Sequence, residues 1–137
     1  MGPLEILGPM SQANVDLVLR LYDGWARGEP GLELMDEDIS MVEPEELPGR
    51  VEAHGIDSVS RYIERFSNHW DEIRFDPEEV VDAGDRVVVI ARLVGRWKAS
   101  GVAVERLWAY VWTFRDGRAL RMEGFADRAQ AIAAAGL

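Results

Sequence analysis

Few side chains in this sequence can carry chemistry. Only two histidines are present. His54 precedes Gly55 at the entry to a predicted helix, toward the expected mouth of the fold, where an imidazole can act as an acid–base group near neutral pH. His69 precedes Trp70 at the exit of that helix, where a cation is favoured by the helix C-terminus. Two isolated histidines, with no HxH or HExxH spacing, do not make a metal site, so no metal is expected. The sequence has no cysteine, which removes thiolate nucleophiles, disulfides and most structural zinc sites. It also lacks a GxSxG elbow, a P-loop and a GxGxxG turn, so no cofactor is expected. Carboxylates are plentiful, and Glu43, Glu45 and Glu46 cluster in one short stretch.

The second resource is aromatic. Five tryptophans are many for 137 residues. Trp25, Trp97, Trp108 and Trp112, with Tyr22, Met41 and Met122, are the candidate lining of an apolar pocket. Such platforms suit flat polycyclic or terpenoid ligands. The same bulk could instead fill the interior and leave a closed, non-catalytic module.

The elements that would position these groups divide the chain into a helical first half and a strand-rich second half, an α+β order. Ser11 is a plausible N-cap, after which Val15, Val18, Leu19, Tyr22, Trp25 and Ala26 recur at helical spacing. Gly28 stops this helix, and Pro30 starts a short second one through Met35. Residues 39–42 form a brief strand, and 44–48 an acidic loop. Asp57 or Ser58 caps a third helix that buries Val59, Tyr62, Ile63 and Phe66.

After Trp70 the period becomes two. Strands are expected over 73–82, with Pro77 marking an edge or a bulge, then over 86–98, 102–114 and 119–125. Asp116-Gly117 is a hairpin turn. Asp127 caps a short C-terminal helix, with Gln130 placed as in a capping box. On strand 102–114, Arg106, Trp108, Tyr110, Trp112 and Phe114 share one face and Leu107, Ala109 and Val111 the other. A strand apolar on both faces is covered on both sides. The large aromatics suit a concave interior, and the small residues suit packing against a second subunit.

Length and an apolar fraction of 47% fit one domain with a real core. Residues 11–137 form it, and 1–10 read as an N-terminal extension outside the fold, with Met10 resembling a second start. The net charge of −10 repels phosphate backbones and anionic lipid, so neither nucleic acid nor membrane is an expected partner. No apolar run approaches a bilayer span, and the start lacks a signal-peptide pattern. A cytoplasmic location is expected.

Several stretches resemble SnoaL-like proteins of the nuclear-transport-factor-2-like superfamily. They are Ser11-Gln12-Ala13-Asn14-Val15 with Tyr22 to Trp25 and Arg27-Gly28-Glu29, then Asp82-Ala83-Gly84-Asp85-Arg86-Val87-Val88-Val89. Val111-Trp112-Thr113-Phe114-Arg115-Asp116-Gly117 and Asp127-Arg128-Ala129 through Leu137 complete the likeness, in order over residues 11–137. The resemblance implies a cone of curved antiparallel sheet wrapped by three N-terminal helices, with a short C-terminal helix. It also implies a homodimer through the sheet.

The ketosteroid isomerases of this superfamily use a carboxylate base and an oxyanion hole. Their likeness to Asp38-Ile39-Ser40-Met41-Val42-Glu43-Pro44 places Glu43 at the base position; alternatively Glu43 belongs to the solvated acidic loop. Their tyrosine position falls on Leu21, beside Tyr22. Their protonated-aspartate position falls on Tyr110, which either donates to an oxyanion or packs as a core aromatic. Cyclases and epoxide hydrolases of this kind need inward aspartates, where this chain has Gly124, Ala91 and Leu93. That departure argues against epoxide hydrolysis and weakens the cyclase reading. The resulting expectation is a protein that binds a small apolar molecule, with an isomerase- or cyclase-like reaction at Glu43, Tyr110 and His54.

Overall fold

A computed structural model describes residues 5–7, 12–47 and 49–137. The chain order is β1 (Glu5–Leu7), α1 (Gln12–Ala26), a single 3-10 turn (Leu32–Leu34), β2 (Met35–Val42), β3 (Glu52–His54), α2 (Ile56–Asn68), β4 (Trp70–Asp82), β5 (Arg86–Trp97), β6 (Ala103–Arg115), β7 (Arg118–Phe125) and α3 (Arg128–Ala134). The strands form one curved, unclosed sheet in the order β1-β4-β5-β6-β7-β2-β3. The α+β cone class expected from the sequence is the observed one.

Three details differ from the expectation. The second N-terminal helix is only the 3-10 turn, because Gly31 enters it in the left-handed region (φ 76) and Met35 leaves it extended. A side chain at position 31 would also meet Leu21 Cδ2 at 2.8 Å. Residues 35–38 therefore extend the brief strand backwards. The sheet is mixed rather than wholly antiparallel: β2 runs parallel to β7, and β1 parallel to β4. The backbone of Glu5–Leu7 is thus part of the sheet, although the sequence reading left residues 1–10 outside it. Ser11, the expected first cap, lies outside the described residues.

The long strands follow their alternation. Arg86 to Arg96 pair in unbroken antiparallel register with Thr113 to Ala103. Pro77 sits where the β4–β5 register shifts, and β1 covers β4 only from Glu79 onward, so the proline meets both an edge and an irregularity. At the β6–β7 turn both Asp116 (φ 52) and Gly117 (φ 75) take the left-handed conformation that a two-residue hairpin needs.

The sheet buries two apolar layers. On the concave face, Val87, Val89, Ala91, Trp112, Phe114 and Met122 pack beneath α1 and α2 against Val15, Val18, Leu21, Tyr22 and Val59. On the convex face, Val88, Ile90, Ala109 and Val111 pack against Ala131 and Ala135 of α3. Asp127 caps α3 by accepting from the Gln130 N–H at 2.9 Å, and Gln130 Oε1 reaches back to the Ala126 N–H at 3.3 Å. The small-residue face of β6 is therefore covered by its own C-terminal helix at Ala109 and Val111. Leu107, at 40% exposure, extends beyond that cover.

Candidate functional site

Between α2, the β2–β3 connection and the concave sheet lies a cavity of about 410 Å³. Its apolar wall includes Trp25, Phe66, Phe75, Leu93, Trp108 and Met122. Local packing fixes these rings. The Trp25 indole donates to the Pro30 carbonyl at 3.0 Å. Phe75 stacks on Phe66 with centroids 6.0 Å apart and stands edge-on to Tyr110 at 6.3 Å. Arg106 covers the Trp108 ring at 3.8 Å.

Glu43 is the ordered acid of this wall. The Val51 N–H donates to its Oε1 at 3.0 Å, and the Tyr62 hydroxyl donates to its Oε2 at 2.8 Å. Its backbone closes on the same loop, with the Glu43 N–H donating to the Val51 carbonyl at 3.0 Å and Arg50 Nε to the Glu43 carbonyl at 2.8 Å. Glu43 is thus half-buried and fully oriented, unlike the exposed Glu45 and Glu46 beside it.

Gly124 explains how that loop sits. A Cβ there would come within 2.8 Å of Pro44 Cδ. The glycine that stands in place of a late acid lets the residue after Glu43 lie against β7.

Tyr110 also lines the cavity. No group among the described residues hydrogen-bonds its hydroxyl, and that oxygen is not among the fully enclosed ones, so it faces the cavity space. Burial raises its pKa well above the ordinary tyrosine value, and neighbouring Tyr22, Tyr62 and Glu43 add to that shift. Tyr62 is raised too, first by burial and then by the Glu43 carboxylate it bonds. Both hydroxyls therefore stay protonated as donors across the physiological range.

Of the residues singled out in the sequence, Glu43, Tyr110, Trp25, Met41, Trp108 and Met122 come together on this one wall. Four others do not. Tyr22 and Trp112 lie behind it in the core, where the Trp112 indole donates to the Tyr22 hydroxyl at 3.2 Å. Burial there raises Tyr22 above its ordinary value.

Trp97 falls outside because β5 runs past the cavity. It pairs across the sheet with Trp70, stacks on that ring at 4.3 Å and remains 40% exposed. His54 falls outside because β3 turns only Ala53 inward. Its Nδ1 meets Ser40 Oγ at 3.0 Å on the outer side. The sequence reading placed Tyr62, Phe66 and Ile63 on a buried helix face, and Phe75 on a strand, without assigning them to the site.

Among the described residues no group of three or more histidines and carboxylates is placed to hold a metal ion, and no helix is long and apolar enough to cross a membrane.

Comparison with known proteins agrees with this architecture. A nuclear-transport-factor-2-like protein of unknown function from Burkholderia pseudomallei K96243 is 29% identical. The match covers 90% of this chain and 97% of that one, with a TM-score of 0.74. TerC, co-crystallised with polyporic acid, is 25% identical over 92% of this chain and 100% of that one, with a TM-score of 0.73. A structure from Jannaschia sp. CCS1, described as a SnoaL-like polyketide cyclase, shares the fold at 24% identity. It covers 93% and 94% of the two chains at a TM-score of 0.75. No curated protein matches this chain. The SnoaL-like domain model matches residues 18–122, well over half of the sequence, and the chain belongs to that family.

Proposed function

We propose that this protein binds a small, largely apolar organic molecule in the aromatic cavity and moves a carbon-bound proton on it without a cofactor. One observation carries the reading: the Glu43 carboxylate and the unpartnered Tyr110 hydroxyl share the wall of a single open cavity. A cavity of about 410 Å³ is of ligand size. Its presence favours this reading over a closed, filled module. The relative co-crystallised with polyporic acid supports small-molecule binding on this fold.

In the proposed reaction, Glu43 takes a proton from a carbon beside a carbonyl. Tyr110 donates a hydrogen bond to the developing enolate oxygen, and Glu43 returns the proton to a second carbon. Tyr62 and the Val51 N–H hold Glu43 in place, each leaving its oxygen a second lone pair to use. His54, outside the cavity, takes no part.

The test is turnover of a panel of β,γ-unsaturated ketones of steroid, terpenoid and aromatic type. Glu43→Gln is expected to lower kcat at least about 100-fold, and Tyr110→Phe about 10–1000-fold. Ligand binding with no turnover in any case would reduce the protein to a carrier. A homodimer through the convex sheet remains part of the proposal, supported by exposed Leu107 on β6. A monomer mass in sedimentation at micromolar concentration would remove it.

A further inference from the structure

The cavity carries a charge signature that its apolar wall does not require. Four charged side chains line it: Glu29, Glu43, Glu64 and Arg74. Two of them are neutralised locally. Arg27 holds Glu29 at 2.8 Å, and Asp76 holds Arg74 at 2.8 Å.

The other two are carboxylates without an ion pair among the described residues. Glu43 receives hydrogen bonds from two neutral donors, the Tyr62 hydroxyl and the Val51 N–H. The nearby cation, Arg50, gives its Nε–H to the Glu43 backbone carbonyl and its Nη1 to Glu52 at 3.3 Å, not to the Glu43 carboxylate. Glu64 stands on α2 at the solvent-exposed rim of the cavity, two residues beyond Tyr62. The same cavity is lined by Trp25, Tyr62, Phe66, Phe75, Trp108 and Tyr110. The faces of aromatic rings attract cations, and a carboxylate partly withdrawn from water, as Glu43 is, attracts them more strongly than an exposed one.

We propose that the ligand of this cavity is an organic cation, a protonated amine on a flat or compact apolar skeleton. The ammonium is drawn to the Glu43 and Glu64 carboxylates and the skeleton lies among the rings. This inference rests on the cavity being a ligand site and not on proton abstraction by Glu43, because a carboxylate paired to an ammonium does not serve as that base. The same arrangement rejects organic anions. A carboxylate ligand would meet two unpaired acids in a protein of net charge −10, with its nearest guanidinium on the wall already committed to Asp76.

The experiment compares three probes of one skeleton on the intact protein: 2-naphthylmethylamine, 2-naphthalenemethanol and 2-naphthoate. Calorimetric Kd values are measured at pH 7 and low salt. The amine is expected to bind at least about tenfold more tightly than the alcohol, and the alcohol at least about tenfold more tightly than the carboxylate. Glu43→Gln should bring the amine to within about threefold of the alcohol. Glu64→Gln should weaken the amine by a smaller factor.

An alcohol that binds as tightly as the amine, or a naphthoate that binds best, overturns the cation proposal and leaves the cavity reading standing. Failure of all three probes to bind overturns both. The wild-type ladder needs no variant, so the proposal is decided even if Glu43→Gln disturbs the β2–β3 loop.

Discussion

The two faces of β6 solve opposite packing problems. On the convex side Ala109 and Val111 are small, and α3 lies close against them with Ala131 and Ala135. On the concave side Trp108 and Tyr110 are large, yet the space between them and α2 is not filled. Small residues let a helix approach until no void remains, whereas rings braced against one another hold α2 away from the sheet. The bracing is visible in the chain of contacts from Trp112 through Trp25 and Phe75 to Phe66, each step about 6 Å between centroids. Bulk on a strand face thus means filled core at one end of β6 and cavity wall farther along.

Truncations measure that contrast most sharply. Trp112 is fully enclosed, so Trp112→Ala should cost about 3–5 kcal/mol in urea unfolding. Phe66 borders the cavity and is only partly buried. Phe66→Ala should cost less than half as much, because it enlarges an existing space rather than opening a new one. Equal losses would mean that the cavity wall is packed like the core.

Alkaline pH tests the buried hydroxyls. Tyr22, Tyr62 and Tyr110 are all held above the ordinary tyrosine value of 10.0. In the unfolded chain they ionise near that value, while in the folded protein they keep their protons. The unfolded state therefore binds fewer protons above pH 10, and stability falls as pH rises. The loss should be about 1.4 kcal/mol per tyrosine for each pH unit above 10 until the folded value is reached. Unfolding free energies from urea titrations should stay level between pH 8 and 9 and fall toward this slope above pH 10, and Tyr110→Phe should make the fall shallower. An unchanged slope in that variant would place Tyr110 in contact with water.

Gly124→Ala probes the seat of the Glu43 loop. Because the new methyl collides with Pro44, a destabilisation of about 1–3 kcal/mol is expected. Ligand affinity should fall with it. On the convex side, Asp127→Ala removes the α3 cap and should cost about 1 kcal/mol, with no change in ligand affinity. A change in affinity there would couple the two faces.

Much of this contrast was legible in the sequence. The period of two along 86–114 sorted the residues of β5 and β6 between the two faces, and the cap at Asp127 and the turn at Asp116-Gly117 are local signals that tertiary packing left intact. Trp97 misled because alternation says which face a residue takes, not where along a strand the cavity ends. His54 misled because a three-residue edge strand shows its orientation only when paired. Tyr62 went unassigned because its partner Glu43 lies 19 positions away, and no helical period reports on a loop that folds over it. The expected helix at 30–35 shrank to one 3-10 turn because Gly31 enters it in the left-handed region and Met35 leaves it extended to pair with Ala119 of β7.

The central claim is that the concave face keeps an open, ligand-sized space. The direct measurement is thermal unfolding against concentration for a panel of steroids, terpenoids, aromatic polyketides and naphthyl amines, on wild type and on Ile63→Trp, which narrows the cavity from α2. The account predicts a dose-dependent rise in Tm with tryptophan quenching for wild type, and a clearly smaller rise for a folded Ile63→Trp. No response from wild type to any compound, or the same response from both proteins, would contradict it.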